Sequence, residues 1–295
     1  MRGDCTPEPA ASHSASGLRV ALTWMPVQLV LLFVALAALD LACQLLGARL
    51  VHHVPAAARD AARLLSALLL SAVMIAAYRS LVRALERRTP DELGAVMAAR
   101  GLASGVIAGA ALFVCVYAIL WVLGAVRFQG FAGLSGLTAA LAIATASAVG
   151  EEIVFRGVVF RLLEARLGTA TALVLSAGAF GLLHAGNRGA TWTSALAIAL
   201  ESGALLGLAY AAGRTLWLPI GLHFGWNFTE GGVFGAAVSG GQSTGLIAAP
   251  LSGPPWMTGG AFGPEASIAA VLVSLGASTA LAWYAIRTGA WRHRR

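Results

Sequence analysis

An all-α membrane bundle is the fold class that this sequence predicts, and three observations predict it. Of 295 residues, 58% are hydrophobic and 11% charged, whereas about a quarter of the residues of a typical soluble domain carry charge. Apolar runs of eighteen or more residues recur along the chain, each long enough at ~1.5 Å per residue to cross a ~30 Å hydrocarbon core. All twenty basic residues are arginine, and they crowd some connections and avoid others, as the positive-inside rule expects of a polytopic protein. A single membrane domain over residues 1–295 accounts for this pattern.

The first apolar run, residues 20–46, follows a polar tail of residues 1–19. Its Asp40 stands where a lipoprotein signal ending at Cys43 needs an apolar residue, so the run reads as a retained span. Further spans are expected over residues 61–81, 103–126, 133–160, 169–187, 192–212, 215–233 and 266–287, about eight in all. Gly213 and Arg214 alone part the sixth run from the seventh, which predicts a tight hairpin. Residues 231–265, rich in Gly and Ser with Pro250, Pro254 and Pro255, form the longest connection, and residues 288–295 a basic tail.

Orientation follows from the arginines. Arg79, Arg83, Arg87, Arg88 and Arg100 crowd the connection after the second span and place it in the cytoplasm. Threading eight spans from there puts both termini in the cytoplasm, residues 231–265 outside, and fifteen arginines inside against five outside. The net charge of +7 then reads as topology and contact with anionic lipid; no fold or aromatic platform for nucleic acid is evident. Arginine in place of lysine and abundant Ala and Gly fit a GC-rich genome, so the expected location is a bacterial cytoplasmic membrane. Cys5, Cys43 and Cys115 are too widely spaced for a CxxC pair or a metal-type cluster. Oligomeric state is not legible.

Ionisable side chains in hydrocarbon cost on the order of 2.5 to 3.5 kcal/mol each, so each needs a partner, a cavity or a function. Most here fall in three clusters. In Glu151-Glu152-Ile153-Val154-Phe155-Arg156, Glu152 and Arg156 lie four apart with the acid nearer the N-terminus, the favoured order for an ion pair. Glu151 points about 100° away around the helix and is left available. Phe180 and His184 share one helix face at spacing four, as do His223 and Asn227. Taken singly, each cluster also reads as ordinary structure: an interfacial arginine reaching headgroups, a histidine bonded to a carbonyl, an asparagine joining helices.

Depth argues that they belong together. With a turn at Leu167-Gly168, Glu151 lies sixteen residues before Leu167 and His184 sixteen after Gly168, so antiparallel helices set them level. Glu151 is ten residues from Arg161 and His223 nine from Arg214, or about 13 to 15 Å below one interface. Two single acids lie elsewhere: Asp40, read as structurally bonded, and Glu201, which the tight hairpin is able to bring to the same cavity.

The three motifs, EExxxR at Glu151 to Arg156, FxxxH at Phe180 to His184 and HxxxN at His223 to Asn227, resemble those of the CPBP family, the CAAX proteases and bacteriocin-processing enzymes also called the Abi family, and they occur in that family's order. Phe155-Arg156-Gly157 and the run Leu216 to His223 resemble it as well, and the likeness covers residues 150–230. The resemblance implies a CAAX-protease-like bundle of eight helices whose core, residues 133–233, forms an intramembrane endopeptidase with a cavity open toward the cytoplasm and bilayer. By motif it implies Glu151 as the base that activates water, His184 assisting, His223 and Asn227 holding the oxyanion, and Glu152 with Arg156 and Phe180 supporting. The chemistry is coherent, because amide hydrolysis needs a base near neutral pH and burial moves carboxylates toward that range.

Glu151, His184 and His223 are also a donor set of the kind that three-ligand zinc sites use. Without an HExxH pair, the expectation is chemistry that needs no tightly bound metal. The expected partners are membrane lipid and a peptide or membrane-protein substrate. The alternative reading is a membrane binding, immunity or regulatory protein that holds a peptide in the same cavity without cutting it. A transporter is a weaker third, for want of an internal repeat.

Overall fold

The structure, a computed structural model, describes residues 24–294. The expected tail of residues 1–19 and the start of the first span lie outside the described residues. Helix α1, Met25–His52, opens with Pro26 in its first turn, where the missing N–H costs nothing. Helix α2, Arg59–Leu81, continues as a wide π-type turn, Val82–Glu86. Helix α3 is Ala98–Val122. Helix α4, Leu137–Glu152, runs through a π segment, Ile153–Phe160, into α5, Arg161–His184. Helix α6, Trp192–Ile198, starts at a capping box between Thr191 and Ser194 and passes through a π turn, Ala199–Gly203, into α7, Ala204–Gly213. Helix α8, Trp217–Asn227, extends as the π turn Phe228–Val233. The short α9, Pro255–Thr258, precedes α10, Ile268–Arg287. Strands β1, Gly130–Phe131, and β2, Ile247–Ala248, form one small antiparallel pair.

The molecule is an all-α polytopic membrane protein. Among the described residues six helices are long and apolar enough to cross a membrane: Met25–His52, Ala56–Glu86, Asp91–Val122, Leu137–His184, Trp192–Gly213 and Ile268–Arg287. Leu137–His184, at 48 residues, is not one rod. At Gly168 the backbone takes φ 79° and ψ 168°, a region open to glycine, and the chain folds back. Phe155 meets Phe180 with ring centroids 4.9 Å apart, and Glu151 meets His184; each pair is equidistant from the Leu167–Gly168 bond. Helix α8 and its extension, eleven and six residues, fall short of a full span of ~20 residues. Against eight expected spans, six helices qualify among the described residues, one of them doubled back at Gly168, and α8, within the expected span 215–233, does not qualify.

Close approach between α3 and α8 sets the position of the motif on α8. Gly101, Gly105 and Gly109 on α3 face Gly221 and Gly225 on α8. A Cβ at Gly109 would lie 2.1 Å from the Leu222 carbonyl oxygen, and one at Gly225 2.3 Å from that of Val106. Small residues at spacing four let two backbones touch, which is how helices associate without a hydrophobic drive between them.

The ends of the bundle are tied down. At the arginine-rich end, Arg161 pairs with Glu86 at 2.5 Å and Arg214 with Glu164 at 2.6 Å. The described part of the basic tail is tied in as well: Thr169 N–H donates to the Arg292 carbonyl at 2.8 Å, and Arg292 N–H to Thr169 Oγ1 at 2.9 Å. At the other end the 231–265 connection is ordered. It pairs β2 with β1, Gly240 N–H donates to the Phe262 carbonyl, and Glu265 accepts from Ser239. Arg156, placed by the charge count among interfacial arginines, is instead fully buried in the bundle.

Candidate active site

Residues of the three motifs meet between α4, α5 and α8. The i, i+4 ion pair is present: Arg156 Nη1 donates to Glu152 Oε1 at 2.8 Å, with both side chains at 0% exposure. The guanidinium also donates to the carbonyls of Ser202 at 2.9 Å and Gly203 at 3.2 Å, and lies 4.6 Å over the Phe180 ring. Phe180 is thus a floor for the arginine, with the His184 ring 4.5 Å away.

His184 Nδ1 lies 2.9 Å from the Phe180 carbonyl oxygen. A carbonyl only accepts, so Nδ1 carries a proton and Nε2 is turned toward α4. There Nε2 stands 3.8 Å from Glu151 Oε2, too far for a direct hydrogen bond and the kind of gap that one water bridges. Glu151 Oε2 is buried and has no hydrogen-bond partner among the described residues. The depth count therefore has a physical counterpart: equal numbers of helical residues on either side of Gly168 bring the acid and the imidazole to one level.

His223 is anchored by the second carboxylate of the EExxxR motif. Its Nδ1 lies 3.0 Å from Glu152 Oε1, so the same carboxylate oxygen holds Arg156 and His223. A carboxylate accepts, which fixes the proton on Nδ1; an Nε2–H donor then requires the doubly protonated ring. Asn227 Nδ2 donates to Ser147 Oγ at 3.1 Å. Ser147 lies one turn before Glu151 on α4, a contact that the motif spacings do not reveal.

A cavity of about 760 Å³ between α1, α2 and α4 has Glu151, Ser147, Asp40 and Gln44 in its wall. It extends toward His52, Arg59 and Arg63 and the 231–265 connection at Gln242. This is the end opposite the arginine-rich one, whereas the resemblance implies a cavity open toward the cytoplasm and bilayer. Asp40 belongs to this wall: its Oδ2 accepts from Gln44 at 2.7 Å, and its Oδ1 sits where a Cβ on Gly150 would be, 2.3 Å from that position. Only glycine before Glu151 leaves that room. Span one, read from the sequence as merely apolar, thus contributes to the site. Glu201 is buried, accepts from Ser202 Oγ at 2.5 Å, and does not line this cavity.

Among the described residues no three His, Cys, Asp or Glu side chains are grouped so as to hold a metal ion. Glu151, His184 and His223 form no such group, although the bond from Nδ1 to Glu152 leaves His223 Nε2 available. No step below is routed through one.

A search of curated proteins and a search of solved structures each gave no match. A protein-family model described as type II CAAX prenyl endopeptidase Rce1-like matches residues 133–229, about a third of the chain and the part that carries all three motifs. Over those residues this membrane protein is similar to the type II CAAX prenyl endopeptidase Rce1-like family.

Proposed function

We propose that the protein is an intramembrane endopeptidase that hydrolyses peptide bonds of membrane-associated proteins or peptides. One observation carries the reading: Glu151 keeps a buried, uncommitted carboxylate oxygen in a cavity wall, 3.8 Å from a histidine Nε2. Glu151, assisted by His184, takes a proton from water, and the hydroxide adds to the scissile carbonyl. Asn227 and the doubly protonated His223 hold the resulting oxyanion, donors of a kind worth about 2.7 to 4 kcal/mol each. The proton then passes to the amine nitrogen as the C–N bond breaks, and Glu152 with Arg156 keeps His223 and the helices in place.

On this reading the protein resides in a bacterial cytoplasmic membrane with both termini inside. Comparing membrane proteomes of cells carrying wild-type protein and Glu151→Ala tests it. A precursor that accumulates and a product that disappears in the variant are expected. Identical proteomes, together with peptide retained by purified wild-type protein without turnover, would favour a binding or immunity protein.

A further inference from the structure

Three acids that the mechanism does not use, Glu201, Glu230 and Glu265, are buried at 1%, 0% and 3% exposure. None of them joins a salt bridge among the described residues. Glu201 accepts from Ser202 Oγ. Glu265 Oε1 accepts from the Ser239 N–H at 2.7 Å and from Ser239 Oγ at 2.8 Å. Glu230 has no such donor: both of its oxygens are buried without a hydrogen-bond partner among the described residues. What its carboxyl meets is the carboxyl of Glu265. Its Oε1 lies 3.5 Å from where a Cβ on Gly263 would be, two residues before Glu265. The other titratable groups near the pair are Glu201, Tyr117 on α3 and, beside Glu265, His184 on α5. The nearby Arg156 is committed to Glu152.

Two carboxylates have no donor between them, and like charges in buried contact cannot both ionise, so such a pair holds one proton. Ser239 already gives Glu265 two donors, which makes it the better anion. Glu230 then carries the proton and donates it.

The pair closes a link between two motifs. Glu230 lies three residues after Asn227, on the extension of α8. On the other side, Ser239 sits at φ 46°, a conformation that few non-glycine residues adopt, and its carbonyl accepts from Asn187 Nδ2 at 3.2 Å. Asn187 N–H in turn donates to the His184 carbonyl at 3.1 Å. This route from α8 to the turn after α5 runs through the 231–265 connection and does not pass through α4.

Resting on the endopeptidase reading, we propose that Glu230 and Glu265 share one proton and, as a pair, are positioning residues that hold His184 and Asn227 in register across the site.

The test uses full-length protein in neutral detergent at neutral pH. Infrared difference spectra, wild type minus Glu230→Gln, should show the C=O band of a protonated carboxyl, which an ionised pair lacks. Glu230→Gln gives Glu265 an amide N–H in the proton's place, and should cut a library of internally quenched apolar decapeptides within about twofold of wild type. Glu230→Met fills similar space without a donor; its turnover per folded molecule should fall about tenfold or more, with faster amide hydrogen exchange over residues 185–190. A missing carboxyl band, or one that added calcium or sodium removes, would assign the pair to a cation and overturn the proposal. So would Glu230→Met as active as wild type, or Glu230→Gln as impaired as Glu230→Met. If wild type cuts no peptide while the band is present and Glu230→Met loosens residues 185–190, the hydrolytic reading fails and the shared-proton link stands.

Discussion

Removing Glu152 separates what its carboxylate does for stability from what it does for His223. Oε1 of Glu152 serves two partners, Arg156 at 2.8 Å and His223 Nδ1 at 3.0 Å. In Glu152→Ala the guanidinium remains fully buried, with only two neutral carbonyls, those of Ser202 and Gly203, as acceptors. Stranding one member of a buried ion pair costs about 3 to 5 kcal/mol, roughly two to three and a half decades in the folded population at about 1.4 kcal/mol per decade. Replacing both partners, as in Glu152→Ala with Arg156→Met, removes the stranded charge and brings stability back to within about 1 kcal/mol of wild type. Activity should not return with it. His223 still lacks the acceptor that fixes its tautomer, a loss that where histidines ligate metals costs about ten- to a hundredfold. Folded yield and chemical unfolding in detergent, read beside turnover of one substrate, measure the two effects. Wild-type stability of Glu152→Ala, or full activity of the double variant, would refute the reasoning.

Three further outcomes follow from the same geometry. Gly109→Ala places a Cβ 2.1 Å from the Leu222 carbonyl and forces α3 and α8 apart by about 1 Å; overpacking costs about 1 to 3 kcal/mol and misplacement of that size about a hundredfold in rate, so turnover per folded molecule should fall together with folded yield, whereas Gly178→Ala, at a site with open space, should be silent in both assays. Asn227→Ala should lower kcat more than it weakens substrate binding, because oxyanion contacts strengthen in the transition state; a pure KM effect contradicts its role. Single cysteines placed within 235–260 should react with impermeant reagent added outside intact cells, and labelling only from the cytoplasmic side inverts the topology.

What was legible in the sequence is what a constant helical rise transmits. The i, i+4 pairing of Glu152 with Arg156 and the level meeting of Glu151 with His184 depend on counting residues along helices and on one reversal, which Gly168 marks. What was not legible depends on how helices turn about their own axes. That His223 Nδ1 meets Glu152 depends on how α8 turns about its axis, which its glycine contact with α3 sets. The glycines at 101, 105, 109, 221 and 225 were visible at spacing four, and they are the signal from which that contact was open to inference. Asp40 was read as structural because nothing along α1 tells which helix it faces; Gly150, directly before Glu151, was the only trace of the space it fills. The direction of the cavity was equally hidden, being set by how α1 and α2 splay from α4.

The central claim is that Glu151 and His184 act as one water-activating unit, and a cycle of two substitutions tests it most directly. Turnover should be measured for wild type, Glu151→Ala, His184→Ala and the double variant, with folded yield as control. The account predicts that Glu151→Ala abolishes most turnover and that adding His184→Ala costs little more, as members of one catalytic unit behave. Glu151→Ala that keeps near-wild-type turnover, or losses that simply multiply in the double variant, would contradict it.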